Sequence, residues 1–484
     1  MSRSSIKRNA VLNAFCAVLK IAFPLVTFPY AARILLPDGI GQVNFANSVV
    51  SFFAIFADFG LYYYGSREGA KLRDDKAELS KFAKETFILN IGTCAISFAA
   101  LLATALSIGK LREIFPLIMI SSSQIIFSCS AFYWLYTAQE DYEYITKRQI
   151  AFQIFGIIFL YLFVHTKEDV NWYCAMGVLV NVGSNLSNFF HSRKFIDWKN
   201  GNSNFDVLKH VKPALPFLGI VLATSIYTII DTSMLGLISD NVQTGFYSAA
   251  NKINKLLLGI VTAATAVLLP RISIYEDKNE RGKTIDLFTK AFCASLFFAI
   301  PAASGLMILR EPIMTLVSGK DFLQASEAML YLSPTFVAIS LSTLIGMQLF
   351  TPLKKERYTL YAEILGVILN LSINLFLIPK YGALGAAIGS LIAECGVLLF
   401  ELSAAWAYLK KGKTLLFFIQ CLVASASMAL ALKFIKIEIP NKIIQTALQV
   451  ILGAFTYAAV SLMIRNKAAC EIVKFIQAKL KRRR

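Results

Sequence analysis

The chain has 484 residues, of which 56% are hydrophobic and 16% are charged, and its mean hydropathy is +0.60. A soluble domain carries about 25% charged residues, so this composition excludes an ordinary soluble fold. The formal net charge of +18 would also fit a nucleic-acid-binding protein. Its distribution argues against that class, because the basic residues are spread over short segments between long apolar stretches. We therefore predict no nucleic-acid partner.

About fourteen apolar stretches of roughly 18 to 28 residues follow one another along the chain. A helix needs about 20 apolar residues to cross the hydrocarbon core of a bilayer, so each stretch is long enough to span a membrane. The sequence therefore predicts an all-α polytopic membrane protein with about 14 transmembrane helices. The predicted spans are 10–33, 40–65, 86–107, 114–137, 149–165, 171–191, 213–237, 243–270, 285–309, 326–351, 359–378, 382–408, 414–432 and 443–464.

The segments between the spans differ in basic charge. When the N-terminus is placed in the cytoplasm, 34 of the 48 Lys and Arg residues fall on the cytoplasmic side and 9 on the opposite side. Cytoplasmic loops of membrane proteins carry such an excess of Lys and Arg. We therefore predict that both termini are cytoplasmic, and that anionic lipid headgroups attract much of the basic charge.

A short internal similarity suggests a repeat. The second span opens with GQVNFAN at residues 41–47 and the eighth with GFYSAAN at residues 245–251, so Gly, Ala and Asn recur 204 positions apart. Two six-helix lobes in a parallel pseudo-twofold repeat would place these segments in equivalent positions, although chance similarity would produce the same match. We predict an N-terminal lobe at 1–200, a C-terminal lobe at 201–412, and two further helices with a basic cytoplasmic tail at 413–484.

Four lysines lie inside predicted spans, and three of them are candidates for a binding site: Lys20 in the first span and Lys252 and Lys255 in the eighth, whereas Lys290 lies near the start of the ninth. A charged side chain in the bilayer is costly and usually faces a partner or a wet cavity, although a lysine near a helix end can extend its charge to the interface. We predict that these three lysines line a cationic cavity that binds an anionic substrate. Polar residues at helical spacing would line the same cavity or hydrogen-bond neighbouring helices. They are Asn13, Asn44, Asn47, Ser48, Asn251, Asn370 and Asn374.

Carboxylates within the spans have two interpretations. They could form structural ion pairs with the lysines, or they could titrate as proton or cation sites. These residues are Asp58, Asp231, Glu363, Glu394 and Glu401. A third set, Arg33, Arg67 and Glu68, lies near helix ends and is predicted to form gate or helix-end ion pairs. The sequence contains no Cys-x-x-Cys or Cys/His pair, and we predict neither a metal site nor a cofactor.

Several motifs occur in the order found in bacterial polysaccharide-unit flippases. They are RILLPDGIG at 33–41, FA at 45–46, DFG at 58–60, SRE at 66–68, WLYTAQ at 134–139, DTSMLG at 231–236, GFYSAA at 245–250 and LPR at 269–271. With these motifs the chain resembles the O-antigen (Wzx-type) flippases of the polysaccharide transporter family, within the multidrug/oligosaccharidyl-lipid/polysaccharide exporter superfamily. Leu36 departs from the pattern, because the family usually has Gly in this turn.

The resemblance implies a transporter rather than an enzyme. Its expected cargo is an undecaprenyl-diphosphate-linked oligosaccharide, moved across the bacterial cytoplasmic membrane by alternating access for O-antigen, capsule or exopolysaccharide synthesis. Coupling to a proton or sodium gradient and association with polysaccharide polymerase machinery are expected as well. A lipid II flippase and a cation-coupled multidrug extruder of the same fold are alternatives. A membrane polymerase or acyltransferase is the alternative from another class of protein.

Overall fold

The computed structural model describes residues 3–199, 205–265, 268–435, 437, 439–471, 473 and 477. Within these ranges the side chains of 3–22, 220, 223–224, 226–228, 260–265, 270 and 411 are not described. The described residues form helices and contain no strand, which confirms the predicted all-α class. They divide into two compact units, Met1–Ser248 and Ala249–Arg484.

The first unit begins with a long broken helix. Helix α1 (Arg3–Asp58) covers the first predicted span and most of the second and is interrupted at Leu36, whose backbone has φ 61° and ψ 176°. Pro37 follows directly, and a residue before proline is driven away from helical geometry. The break therefore lies between the predicted spans 10–33 and 40–65.

The other helices of the first unit follow the predicted spans. They are α2 (Leu61–Lys71), α3 (Lys76–Ser107), α4 (Gly109–Glu113), α5 (Phe115–Ile126), α6 (Tyr133–Gln139), α7 (Tyr142–Phe163), α8 (Val170–His191) and α9 (Val211–Ile238). Asp75 begins α3 by accepting hydrogen bonds from the backbone N–H groups of Ala77 and Glu78, as an N-cap residue does. Helix α10 (Asn241–Thr265) starts in this unit and continues into the next.

One end of the first unit is held together by aromatic packing around α2. Gly65 and Gly69, one helical turn apart, both lie against Trp134 of α6. A Cβ atom would approach the indole ring to 2.6 Å at Gly65 and 2.7 Å at Gly69. Phe82 of α3 packs on the same ring, with 5.2 Å between the ring centroids. The small residues of α2 thus allow a close helix contact of the kind that membrane proteins use.

The second unit contains the remaining helices. They are α11 (Leu268–Asp277), α12 (Arg281–Ile308), α13 (Arg310–Ser318), α14 (Ala325–Thr343), α15 (Glu356–Tyr381), α16 (Ala383–Ala405), α17 (Lys411–Phe434) and α18 (Lys442–Met463). A π-helical turn, Leu344–Phe350, continues directly from α14. Helices α15 and α16 approach closely, since a Cβ on Gly385 would lie 2.4 Å from the Leu377 carbonyl oxygen.

Nine helices in the described part of the chain are long and apolar enough to cross a membrane, and a tenth span results if α5 and α6 are counted together across their 40° bend. The protein is therefore a multi-pass membrane protein. Each of the fourteen predicted spans coincides with a helix or a consecutive pair of helices. The count of fourteen membrane crossings and the lobe boundaries at 200 and 412 remain predictions.

Candidate functional site: polar residues on the membrane helices

The polar stripe of α1 is hydrogen-bonded to two neighbouring helices. The Ser121 hydroxyl of α5 donates to Asn47 Oδ1 over 2.8 Å. Ser48 is buried, and its hydroxyl accepts a 2.9 Å hydrogen bond from Ser233 of α9. Asn44 donates to the Ile40 carbonyl one turn earlier, at 2.8 Å. In this conformation Asn47 and Ser48 connect helices, while Asn44 stays half-buried on its own helix.

The α1 stripe lies next to the turn between α9 and α10. Asp231 is buried on α9 and accepts a hydrogen bond from the Tyr247 hydroxyl of α10. A buried carboxylate with a phenol donor is stabilised by a strong, charge-assisted hydrogen bond. Asp231 therefore has the Tyr247 hydroxyl as a structural partner.

The segment after the break in α1 packs tightly against the start of α10. A Cβ on Gly41 would lie 1.7 Å from the Asn241 carbonyl oxygen, and a Cβ on Gly245 would lie 2.0 Å from the Pro37 carbonyl oxygen. These are the two glycines that the predicted repeat makes equivalent. Each glycine faces the backbone carbonyl four residues before the other glycine, and the repeat itself stays a prediction.

The predicted cationic residues are described in part. Lys20 and Asn13 have side chains outside the described residues. On α10, Lys252 and Asn251 are half-buried and Lys255 is exposed. The neighbouring Asn254, which sequence analysis did not select, is buried and donates to the Leu332 carbonyl at 3.0 Å and to Thr335 Oγ1 at 2.8 Å. The joint placement of the three lysines in one cavity stays a prediction.

Polar residues on α15 and α16 form a buried row in the second unit. Asn370 and Asn374 are both buried, and Asn374 Nδ2 donates to Asn370 Oδ1 over 3.1 Å. A Cβ on Gly389 would lie 2.1 Å from Asn374 Oδ1, so the glycine allows the amide to sit against α16. Glu394 and Glu401, predicted to share a face of one helix, are both buried, whereas Glu363 is half-buried.

Glu401 makes one short hydrogen bond. Its Oε2 accepts from the Ser342 hydroxyl of α14 at 2.6 Å. Asp58 lies at the end of α1, where it lines a small cavity of about 30 Å³ together with Asn90 and Ser128. The five predicted carboxylates are thus distributed over both units.

The predicted gate residues have local contacts. Arg67 and Lys71 both bind Glu68 at 2.9 Å on the exposed side of α2, and the Arg67 guanidinium lies 5.1 Å from the centre of the Phe217 ring. Arg33 Nη1 donates to the Pro29 carbonyl at 2.8 Å. Exposed ion pairs of this kind contribute little to stability, and the role of these residues as gate or helix-end pairs stays a prediction.

A buried network that sequence analysis missed joins α2, α3 and the turn before α9. His210 Nδ1 lies 2.8 Å from Tyr64 Oη, and His210 Nε2 lies 2.9 Å from Glu85 Oε2. Glu85 also accepts from Lys209 Nζ at 2.9 Å and from the Asp206 N–H at 3.0 Å. All three buried side chains are satisfied when Nε2–H donates to Glu85 and Nδ1 accepts from Tyr64. The spacing of 125 residues between Glu85 and His210 left no local signal in the sequence.

Two cavities lie in the second unit. One, of about 560 Å³, is apolar and is lined by α12, α17 and α18, with Phe297, Pro301, Met428 and Gly453 among its residues. The other, of about 330 Å³, is lined by α12, α17 and the segment that follows α18, and it contains five basic side chains. They are Lys290, Lys410, Lys413, Arg465 and Lys467, which outnumber Asp286 and Glu471 in the same cavity.

Comparison with known proteins gives a family and a fold. A family model described as "Polysaccharide biosynthesis protein" matches residues 6–276. A putative O-antigen transporter of Shigella dysenteriae is 24% identical over 407 residues, covering 82% of this chain and 99% of the relative. A putative O-antigen transporter of Escherichia coli K12 is 24% identical over 401 residues, covering 81% and 95%. Among solved structures, a lipid II flippase MurJ in an inward closed conformation superposes with a TM-score of 0.75 at 17% identity, covering 94% of this chain and 98% of that one.

Proposed function

This chain belongs to the family of polysaccharide biosynthesis proteins, and from that premise we propose that it is a flippase for lipid-linked oligosaccharides. Its cargo is an undecaprenyl-diphosphate-linked repeat unit, which it moves across the bacterial cytoplasmic membrane by alternating access. The proposal depends mainly on one observation: the residues that match the family model include the polar faces of the helices. Residues 6–276 include both the Asn44–Ser48 stripe of α1 and the lysines of α10. Two relatives that match over nearly their whole length carry the name of O-antigen transporter, which supports this class of cargo.

The chemistry of the polar residues suits such a cargo. A diphosphate carries about two negative charges, and a lysine ammonium is a compact counter-charge whose attraction strengthens where the dielectric constant is low. Asn and Ser side chains can replace the water that sugar hydroxyls lose on entering the membrane. We assign the diphosphate to Lys20, Lys252 and Lys255 and the sugars to the polar stripe, while the lipid tail stays in the bilayer.

The basic cavity of the second unit supports a further part of the proposal. Its five cationic side chains surround a space of about 330 Å³. They lie near the starts of α12 and α17 and after the end of α18. The distribution of Lys and Arg predicts that this side of the membrane is the cytoplasmic one. Basic pockets between transmembrane helices on that side bind anionic lipid headgroups. We propose that anionic lipids occupy this cavity. Coupling to a proton or sodium gradient and association with polymerase machinery complete the proposal.

Complementation of flippase-null strains tests the proposed cargo. The chain is expressed in strains that lack an O-unit flippase, a lipid II flippase or a drug extruder, each with a defined readout. We expect restored surface polysaccharide in the first strain and no rescue in the other two. Rescue of the lipid II strain alone, or of drug resistance alone, would contradict the cargo proposed here.

The proposed orientation has its own test. Single cysteines introduced into a variant without native cysteines at the two ends of the chain should react with a membrane-impermeant maleimide only after cells are permeabilised. Labelling of either end in intact spheroplasts would contradict the placement of both termini in the cytoplasm.

A further inference from the structure

Glu401 is a deeply buried carboxyl group on a membrane helix. Its side chain on α16 is 1% exposed, and Ser342 donates to one of its oxygens. Among the residues that the structure describes, no Lys, Arg or His nitrogen forms an ion pair with it. An ionised carboxylate without a counter-charge is costly in a membrane interior, so such a group is neutral or binds a cation.

The second oxygen of Glu401 identifies where a proton would sit. Glu401 Oε1 is buried and has no hydrogen-bond partner within the described part of the chain, and the same holds for Oγ1 of Thr359 on α15. Both atoms lie 3.1 Å from the point where a Cβ on Gly346 would stand. A carboxyl oxygen and a hydroxyl oxygen thus lie beside one small space, and each would be costly if left unsatisfied.

A proton on Oε1 removes the charge that burial disfavours. A protonated carboxyl has one O–H donor, and a threonine hydroxyl has acceptor lone pairs. With a small shift of either side chain the Oε1–H group can donate to Thr359 Oγ1, while Oε2 continues to accept from Ser342. A sodium ion is less well served, because the Ser342 hydroxyl already directs its hydrogen at Oε2.

The surrounding helices bring few charges to this position. Glu363 is the acidic residue that α15 places within a turn of Thr359, and Glu394 lies two turns away on α16 itself. On α14 the titratable residues Glu327 and Tyr331 lie at the far end from Ser342, and the π-helical turn has none. Tyr408 follows α16, with Lys355 Nζ 5.3 Å and Arg281 Cζ 5.1 Å from its ring centre.

The π-helical turn beside Glu401 is a second, independent feature. It places Gly346 against the carboxyl group, and π-helical turns occur frequently at functional sites. The turn also makes the position sterically specific, because any side chain at residue 346 would enter the space between Glu401 and Thr359.

We propose that Glu401 is a proton-binding site of the transporter, with Thr359 and Ser342 as positioning residues and Gly346 as the residue that leaves room for the proton. The binding of the proton is inferred from the burial of Glu401 and from the side chains around it. Its link to transport rests on the proposed function: uptake neutralises Glu401, and release leaves a carboxylate that requires the surrounding helices to admit water.

Infrared difference spectroscopy of the purified full-length chain in lipid nanodiscs tests proton binding directly. The wild-type protein at neutral pH should show the carbonyl band of a protonated carboxyl group, and alkaline pH should remove it. Glu401→Gln should lack the band, because glutamine is an isostere of the protonated form and should fold. Thr359→Val should keep the band at a higher frequency, because the carboxyl loses its acceptor. Glu356→Gln, an exposed carboxylate on α15, is the matched control and should change nothing.

A wild-type band that survives in Glu401→Gln would overturn the proposal, as would its absence from wild type at neutral pH. A sodium-dependent loss of the band would assign the site to that cation instead. If Glu401→Gln removes the band and leaves surface polysaccharide unchanged at every external pH, the link to transport is wrong. Failure of the wild-type chain to rescue any flippase-null strain would instead count against the proposed function, and the infrared band would be unaffected.

Discussion

Gly41 and Gly245 each pack against the backbone four residues before the other. Gly41 meets the Asn241 carbonyl and Gly245 meets the Pro37 carbonyl, with no room for a methyl group at either position. The two glycines are also 204 residues apart in the short repeat that the sequence contains. The parallel repeat itself stays a prediction, and the contact shows that both glycines are needed for the close packing of these segments.

We expect Gly41→Ala and Gly245→Ala to destabilise the protein. The added Cβ would lie 1.7 Å or 2.0 Å from a carbonyl oxygen, so the helices must move apart. Overpacking of this kind costs about 1–3 kcal/mol or more. Thermal unfolding of the purified variants in detergent measures the effect. Gly92→Ala, at a helix position where a Cβ meets nothing within 4 Å, is the control and should be neutral or slightly stabilising. Equal unfolding temperatures for all three variants would contradict the tight contact.

Leu36 should be replaceable by glycine with a gain in stability. Its backbone, at φ 61° and ψ 176°, lies in a region that is essentially restricted to glycine and costs about 1–3 kcal/mol for other residues. Glycine loses about 0.5–1 kcal/mol through its extra freedom in the unfolded chain, so a net gain of about 1 kcal/mol is expected. The unfolding temperature of Leu36→Gly is compared with that of Leu36→Ala, which keeps the strain. A Leu36→Gly variant less stable than Leu36→Ala would show that the position is not strained.

The network around His210 should be needed for stability. Glu85→Ala leaves His210 and Lys209 without their shared carboxylate, and breaking a buried charged network costs about 3–5 kcal/mol. Circular dichroism melts of the purified protein measure the loss. Glu78→Ala removes an exposed carboxylate from the first turn of the same helix and should change stability far less. If the two variants melt together, the Glu85 contacts contribute little to folding.

The sequence was most informative where periodicity alone decides the structure. Apolar length predicted a helix at every one of the fourteen spans, and the spacing of seven residues correctly placed Glu394 and Glu401 on a common buried face. The Pro37 that follows Leu36 marked the break in α1. These features depend on residues close together in the chain.

Contacts between distant segments could not be read in the same way. The partners of Glu85 come from residues more than 120 positions away, and Tyr247 reaches Asp231 across the turn between two helices. The π-helical turn at Leu344–Phe350 carries no local sequence signal, and without it the proximity of Gly346 to Glu401 is invisible. Packing between helices decides each of these features.

Positive charge on α1 and α10 is proposed to bind a diphosphate during transport. Surface polysaccharide is measured in a flippase-null strain that expresses Lys20→Ala, Lys252→Ala or Lys255→Ala at the wild-type protein level, with Lys147→Ala, an exposed lysine of α7, as control. We predict loss of polysaccharide in the three variants, partial recovery with Arg at the same positions, and no effect of Lys147→Ala. Normal polysaccharide from all three alanine variants would contradict the account.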